Sequence, residues 1–166
     1  MPRLEPLSPL LIKEFQTVRL RALEDTPTAF GSTYAKESQL SEDDWAKRVA
    51  TWSRDTGACY IAMAEGAPCG IIAGYFHKDN PQRVYVASMW VAPTHRRTGL
   101  GTRLMDAVQG WALKLGASEL RLMVTSSNQA AIAFYQRCGF TFTGMTGPYD
   151  NDPALFEHEM AKHLIS

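Results

Sequence analysis

Between Gly57 and Val91 the chain carries three apolar runs, ACYIAMAE, CGIIAGYFH and RVYVASMWV. Only short stretches containing Glu65-Gly66 and Asn80-Pro81 part them, and both pairs are turn signals. Strands joined by connections this short return alongside one another, which predicts an antiparallel meander. Whatever precedes or follows has to cover that sheet or extend it.

On the N-terminal side, RLEPL predicts a short first strand, and Ser8-Pro9 pairs an N-cap with proline at the first helical position. Leu11, Ile12, Phe15, Val18, Ala22 and Leu23 then share one helical face. That helix breaks near TPTAFGSTY and a shorter one follows. Ser41 with Asp44 caps another, which carries Trp45, Val49 and Trp52. On the C-terminal side, Leu104, Met105, Val108, Trp111, Ala112 and Leu115 keep helical spacing up to Gly116. ELRLMVT is a strand, NQAAIAFYQRCG a second short helix ending at Gly139, and FTFTGM and LFEHEMAKHL finish as two strands. The expected fold class is mixed α/β (α+β).

With 166 residues, the chain suits one domain, residues 1–166, with room for a core. Lys plus Arg equals Asp plus Glu at 17 each, so no bulk field favours nucleic acid or membrane. An acidic ligand would need a local basic site instead. No apolar run approaches the roughly 18 residues of a membrane span, and Met1 to Ile12 lacks a secretory apolar segment. Cys59, Cys69 and Cys138 are odd in number and too scattered for metal-ligand spacing. The expectation is a reduced, cytoplasmic protein without a metal.

RRTGLG, residues 96 to 101, opens the helix that follows the meander. A helix N-terminus leaves backbone N–H groups unpaired and carries roughly half a positive charge. Glycine lets a ligand reach that backbone without a Cβ in the way, and Arg96 and Arg97 add charge at the same spot. A phosphate-bearing ligand suits this chemistry, although an ordinary glycine-rich turn has the same composition. The stretch is not a P-loop, since no Lys-Ser or Lys-Thr follows a glycine. Leu104 stands where a dinucleotide fingerprint needs its third glycine.

VAPTHRRTGLGTRLM resembles the signature of the Gcn5-related N-acetyltransferases: arginine or glutamine, two residues, glycine, one residue, then glycine or alanine. Arg96, Gly99 and Gly101 fill those places. The preceding MWVAP is similar to the end of that family's central strand. NQAAIAFYQRCGF resembles its second motif, with Asn128 and Tyr135 in the recurring positions. The resemblance is strongest from Met89 to Phe140. It implies a largely antiparallel sheet flanked by helices and splayed after the central strand. It also implies acetyl transfer from acetyl-CoA straight to an amine, without a covalent enzyme intermediate.

Backbone donors from Arg97, Thr98, Gly99, Leu100, Gly101 and Thr102 would meet the pyrophosphate, with Arg96 beside them. A bulge near Met89, Trp90 and Val91 would leave an edge for the amide-rich pantetheine arm and donors for the oxyanion. ASMWV is equally a plain buried strand. Asn128 would bind the pantetheine or cap its helix. Tyr135 would protonate the leaving thiolate, its pKa of about 10 lying just above a thiol's of about 8.5. It also belongs to the apolar stripe of Ala131, Phe134 and Cys138.

Some relatives carry a glutamate on the central strand, but Tyr85 to Val91 contains neither acid nor histidine. That leaves Glu37, Asp150, Asp152 or a water chain as the base, and each carboxylate also suits a solvated surface charge. HEMAKH misses the H-E-x-x-H zinc motif by one residue, and as a strand it would face its histidines to opposite sides. Tyr34, Trp45 and Trp52 either line the acceptor pocket or pack the helical side. A non-catalytic acyl-CoA-binding sensor would keep Arg97 to Gly101 without turnover, whereas Tyr135 and Asn128 favour an enzyme. The acceptor stays open among amino acids, antibiotics, polyamines and protein N-termini. A sheet edge or the C-terminal strand could support a homodimer.

Overall fold

In a computed structural model of the protein, describing residues 1–53 and 56–164, β1 (Arg3–Pro6) leads through a single 3₁₀ turn into α1 (Ile12–Asp25). Ser8 caps that entry, its hydroxyl accepting from the Leu10 N–H at 3.3 Å. Helix α1 buries Phe15, Val18, Ala22 and Leu23, whereas Leu11 and Ile12 are half-buried at its start. After a second 3₁₀ turn (Pro27–Ala29) come α2 (Tyr34–Glu37) and α3 (Glu42–Trp52). Ser41 and Asp44 close a reciprocal capping box, each accepting from the other's backbone N–H at 3.1 and 3.0 Å.

The expected meander forms from β2 (Gly57–Ala64), β3 (Ala67–His77) and β4 (Asn80–Val91), all antiparallel. Glu65 and Gly66 both take positive φ, 52° and 79°, the pairing that a tight two-residue hairpin requires. The second turn falls at Lys78-Asp79, before Asn80-Pro81, and His77 pairs with Asn80. Side chains explain the offset: His77 Nδ1 accepts from the Asp79 N–H at 3.1 Å and Asn80 Oδ1 from the Gln82 N–H at 3.0 Å. Pro81 thus opens a strand, a place where its missing donor is tolerated.

Beyond the meander lie α4 (Leu100–Lys114), β5 (Glu119–Thr125), α5 (Gln129–Arg137), β6 (Thr141–Pro148) and β7 (Phe156–His163). Gly116 and Gly139 end the two helices with φ of 93° and 99°. The seven strands run β1-β2-β3-β4-β5-β7-β6, and only the β4–β5 neighbours are parallel. Because β7 inserts between β5 and β6, the last strand is interior. Among the described strands β1 and β6 lie at the two ends of the sheet order, and β7 lies inside it. His158 and His163, five residues apart on β7, face opposite sides of the sheet. No helix among the described residues is long and apolar enough to cross a membrane.

Helices α1 and α3 cover one face of the meander and α4 the other. Gly74 records how closely α4 sits. A Cβ there would stand 2.9 Å from Val108 Cγ1 and 3.4 Å from Val84 Cγ1. Both neighbours are stiff β-branched side chains. Gly74→Ala should therefore destabilise the fold by overpacking, on the order of 1–3 kcal/mol, despite burying a methyl. Urea unfolding of the two proteins measures it, and an equally stable variant would mean that α4 can move away from the sheet freely.

Candidate active site

Strands β4 and β5 are paired only where Arg83, Val84 and Tyr85 meet Glu119, Leu120 and Arg121. Both strands continue beyond that point, to Val91 and Thr125, without pairing. The gap between them is a narrow cleft of about 70 Å³, onto which Ser88, Met89, Thr125, Asn128 and Tyr135 all open. A larger cavity of about 620 Å³ lies against β1 and the β2–β3 hairpin and shares no residue with the cleft. The second-motif residues and the irregular strand converge on the smaller one.

On its other side β4 bulges. Ile71 pairs with Trp90 and Ala73 with Ala87, so Ser88 and Met89 oppose the single residue Ile72. The bulge thus begins one residue before the expected Met89 to Val91. Ser88 has φ 56°, a left-handed conformation costing a non-glycine residue roughly 1–2 kcal/mol. Something must hold it, and that something is Arg19. Its NH1 donates to Ser88 Oγ at 3.0 Å, while Nε and NH2 each donate to one Glu37 oxygen, both at 3.0 Å. Arg48 donates a further hydrogen bond to Glu37 at 2.9 Å.

Glu37 is therefore no solvated surface charge; it is 1% exposed. Burial pushes its carboxyl up, but hydrogen bonds and charge from Arg19, then Ser32 and Arg48, outweigh burial and hold it below the usual range. A carboxylate clamped by two arginines is a poor proton acceptor, so Glu37 leaves the set of candidate bases and becomes an anchor. Asp150 is exposed, and Asp152 accepts from the Ala154 N–H at 3.0 Å within its loop.

A second anchor sits above the bulge. Trp90 is buried, and its indole N–H donates to Asp25 Oδ2 at 3.0 Å. Arg96, expected beside the phosphate, donates instead to the same Asp25 oxygen and, at 2.9 Å, to the Val91 carbonyl. Burial raises the Asp25 pKa, but the hydrogen bonds from Trp90 and Arg96 more than reverse this, so the acid stays ionised. Trp90 and Leu100 are core side chains, and only their backbone can serve a ligand.

Residues 97–99 turn the chain into α4 through two left-handed residues, Arg97 (φ 63°) and Gly99 (φ 84°). Among the described residues, the backbone N–H groups of Arg97 through Thr102 take no acceptor. They cluster at the positive end of a 15-residue helix, with the exposed Arg97 side chain beside them, a ready site for phosphate oxygens. The two glycines differ in purpose. Gly99 needs its backbone angle, with open space around it. At Gly101 a Cβ would stand 3.1 Å from the Phe134 ring and 3.4 Å from Met89 Cε, so its missing side chain serves helix packing.

Asn128 caps α5, its Oδ1 accepting from the Ala131 N–H at 3.2 Å, which leaves the amide NH₂ toward the cleft. Tyr135 is half-buried against Phe134 and Phe140, ring centroids 5.6 and 6.0 Å away, and its hydroxyl takes no hydrogen-bond partner among the described residues. Burial, with Cys138 nearby, pushes the phenol well above its ordinary value. The same surroundings raise any thiol, as burial does at Cys59, pushed up to about 12. The phenol therefore stays protonated, and a thiolate sharing its site becomes a stronger base alongside it.

Arg19, Ser88 and Asp25 escaped the sequence-based reading. Arg19 carried a visible signal: it stands at helical spacing within the Phe15, Val18, Ala22, Leu23 stripe, where a charge demands a buried partner. Ser88 carried none.

Against known proteins, the chain matches the model described as "Acetyltransferase (GNAT) family" over residues 19–140. It is 28% identical over 102 residues to L-2,4-diaminobutyric acid acetyltransferase of Nocardia farcinica, covering 61% of this chain and 53% of that protein. It is 37% identical over 99 residues to streptothricin acetyltransferase of Streptomyces lavendulae, covering 59% and 49%. The chain thus spans about half the length of these relatives. A GNAT-family acetyltransferase structure from Streptococcus pneumoniae superposes with TM-score 0.81 at 22% identity, over 99% of this chain and 100% of that one. PaiA N-acetyltransferase from Thermoplasma acidophilum, solved in complex with coenzyme A, gives 0.78 at 17%, over 99% of each. At such identities the likeness shows a common fold.

The clamp on Ser88 makes a pH-dependent prediction. Glu37 has a depressed folded pKa, so its contribution is complete above the unfolded value of about 4.3 and is lost as pH falls through the folded value. Glu37→Gln should lower stability at pH 7 by about 3–5 kcal/mol, the scale of removing one partner from a buried ion pair. It should also flatten the loss of stability on acidification. Thermal melts across that acidic range test both, and an unchanged melt at neutral pH would free Ser88 from any dependence on this pair.

Proposed function

This chain belongs to the acetyltransferase (GNAT) family, and from that premise we propose that it moves an acetyl group from acetyl-CoA directly to an amine acceptor. The observation that carries the reading is the gap between β4 and β5, with a strained bulge on one side, Tyr135 at its lining and free backbone donors at the start of α4.

Pyrophosphate oxygens would be held by the N–H groups of Arg97 to Thr102 with the Arg97 guanidinium. Unpaired backbone of β4, from Val86 to Met89, would receive the amides of the pantetheine arm as an added strand would, helped by Asn128. Donors at the bulge would polarise the thioester carbonyl where negative charge develops. Tyr135 would give its proton to the departing sulfur. The N. farcinica relative is named for an acid that carries two amino groups, which supports a small cationic amine as acceptor. A silent acyl-CoA sensor would have no use for a phenol open to the cleft.

Acetyl-CoA should raise the melting temperature by mass action, about 2.7 kcal/mol at a hundredfold excess over its Kd, and NAD should not. An unmoved melt in saturating acetyl-CoA would remove the basis of the proposal. A panel of small diamines, amino acids and peptide N-termini, followed by thiol release, then identifies the acceptor. With that acceptor saturating, Tyr135→Phe should lower kcat by roughly two orders of magnitude while the KM for acetyl-CoA moves little. Because the hydroxyl takes no hydrogen-bond partner among the described residues, the melt should move by less than about 1 kcal/mol, the scale of one hydrogen bond. A variant with wild-type kcat would return Tyr135 to the apolar stripe it belongs to.

A further inference from the structure

We infer that Glu157, on β7, is the base that takes the proton from the acceptor amine, working from the face of the sheet opposite Tyr135. This rests on the acetyl transfer proposed above. An alkyl ammonium titrates near pH 10, as lysine does at about 10.4, so an acceptor arrives protonated at neutral pH and needs an unengaged carboxylate beside the gap.

Sheet register puts Glu157 there. It lies directly between Thr125 of β5 and Gly147 of β6. Directly opposed residues share a face. Thr125 is the last residue of β5 and lines the cleft, and its hydroxyl donates to the Thr28 carbonyl of the segment after α1. Glu159, two residues along β7, shows the same face independently: it accepts from Tyr85 at 3.2 Å, Arg121 at 2.8 Å and Thr143 at 2.9 Å. Glu157 thus looks out on the α1 side, at the end of the sheet where β4 and β5 have parted.

The contrast between the two glutamates is the point. Glu159 is buried and fully partnered, whereas Glu157 takes no hydrogen bond or ion pair among the described residues. Its neighbour Gly147 contributes no side chain. Met123 fills part of that space, its Cε reaching to 3.8 Å from where a Gly147 Cβ would stand. Beyond it the loop after β6 is tied down to the segment after α1. The buried Tyr149 hydroxyl donates to Phe30 O at 2.7 Å, and Asn151 donates to Phe30 O at 3.2 Å and Ser32 O at 3.3 Å. Glu157 is therefore half-covered, apolar on one flank, and one strand over from Thr125, which lines the cleft.

Few charges surround it. Strand β6 and residues 27–33 hold no titratable group. Arg121 of β5 is committed to Glu119 and Glu159, and Glu37 to Arg19 and Arg48. The loop supplies Asp150 and Asp152, both negative. Partial burial, then Asp150, lift the Glu157 carboxyl above the usual range, which strengthens it as a base. The arginines nearest this side, Arg19, Arg48 and Arg121, are each already paired with a glutamate.

The proton accounting closes. The Glu157 carboxylate removes one proton from the acceptor ammonium, and the freed lone pair forms a nitrogen–carbon bond at the thioester carbonyl. The carbon–sulfur bond then breaks, and sulfur takes the phenolic proton of Tyr135. Nitrogen sheds its second proton as the adduct collapses, and that proton restores the phenol by way of water. The products are the amide and the thiol, with one proton passed from Glu157 to solvent.

The test uses the amine found in the acceptor panel, with saturating acetyl-CoA, and follows kcat/KM for that amine against pH. In wild type the rate should fall at acid pH as Glu157 protonates. Glu157→Gln should lower kcat/KM by about a hundredfold or more and abolish that acid limb, and Glu157→Asp should restore part of both. The melting shift given by acetyl-CoA should be unchanged in both variants, which separates loss of the base from loss of the cofactor site. A Gln variant with wild-type rate and an intact acid limb overturns the assignment. Should no amine be acetylated, the transfer reading fails and the base assignment with it; an amine acetylated with an unchanged acid limb in Glu157→Gln overturns the Glu157 assignment alone.

Discussion

A sheet that parts in its own middle leaves two rows of backbone N–H and C=O groups without partners, and the molecule is organised around that defect. Below the fork, cross-strand charges hold β4, β5 and β7 together: Arg83 and Arg121 both donate to Glu119, and Arg121 and Tyr85 both donate to Glu159. Above it, β4 is drawn sideways onto α1, through Arg19 to Ser88 and through Asp25 to Trp90. The fork is open because each strand has something stronger to bind than the other strand.

The two anchors share an electrostatic logic. Glu37 and Asp25 are both covered carboxylates whose desolvation is outweighed by arginine and hydrogen bonds, so both remain anions whose protonation would loosen the bulge. Among the described residues, two of the three non-glycine residues with positive φ, Ser88 and Arg97, lie beside these anchors. Backbone strain persists only where surroundings over-determine it. Here the surroundings are α1, whose Arg19 reaches Ser88 in the cleft and whose Asp25 holds Arg96 at the phosphate loop, so one helix governs the shape of both.

Most of the fold was legible because local rules and tertiary structure agreed. The meander, the Ser41–Asp44 box, Gly116 and Gly139 as helix stops, and the presence of the last two strands all follow from periodicity and capping, whereas the insertion of β7 between β5 and β6 does not. The second hairpin turn was misplaced by two residues, since Asn80-Pro81 carries the stronger signal while His77 and Asn80 set the actual register. Of the site, the α4 turn and the second motif were visible as sequence. What was not visible is direction. Arg96 turns inward to Asp25, Gly101 makes room for Phe134, and Glu37 is buried under two arginines. Spacing along a chain says which residues are close to a site and nothing about which way a long side chain points.

Direction also decides what a fork in a sheet can do that a surface pocket cannot. Tyr135 belongs to α5, which packs with α4 through the Phe134–Gly101 contact, so the phenol approaches the gap from the α4 face. Glu157 shares the α1 face with Thr125 and Glu159. An acid and a base within reach of each other neutralise one another by exchanging the proton that each needs in its own state. Placed on opposite faces, the phenol and the carboxylate each have a pKa raised by their own surroundings rather than set by the other. A reactant lying in the gap would touch both. On the proposed reaction, the nitrogen is deprotonated on one face and the sulfur protonated on the other. The gap between β4 and β5 lies between those two faces, at backbone that neither strand pairs.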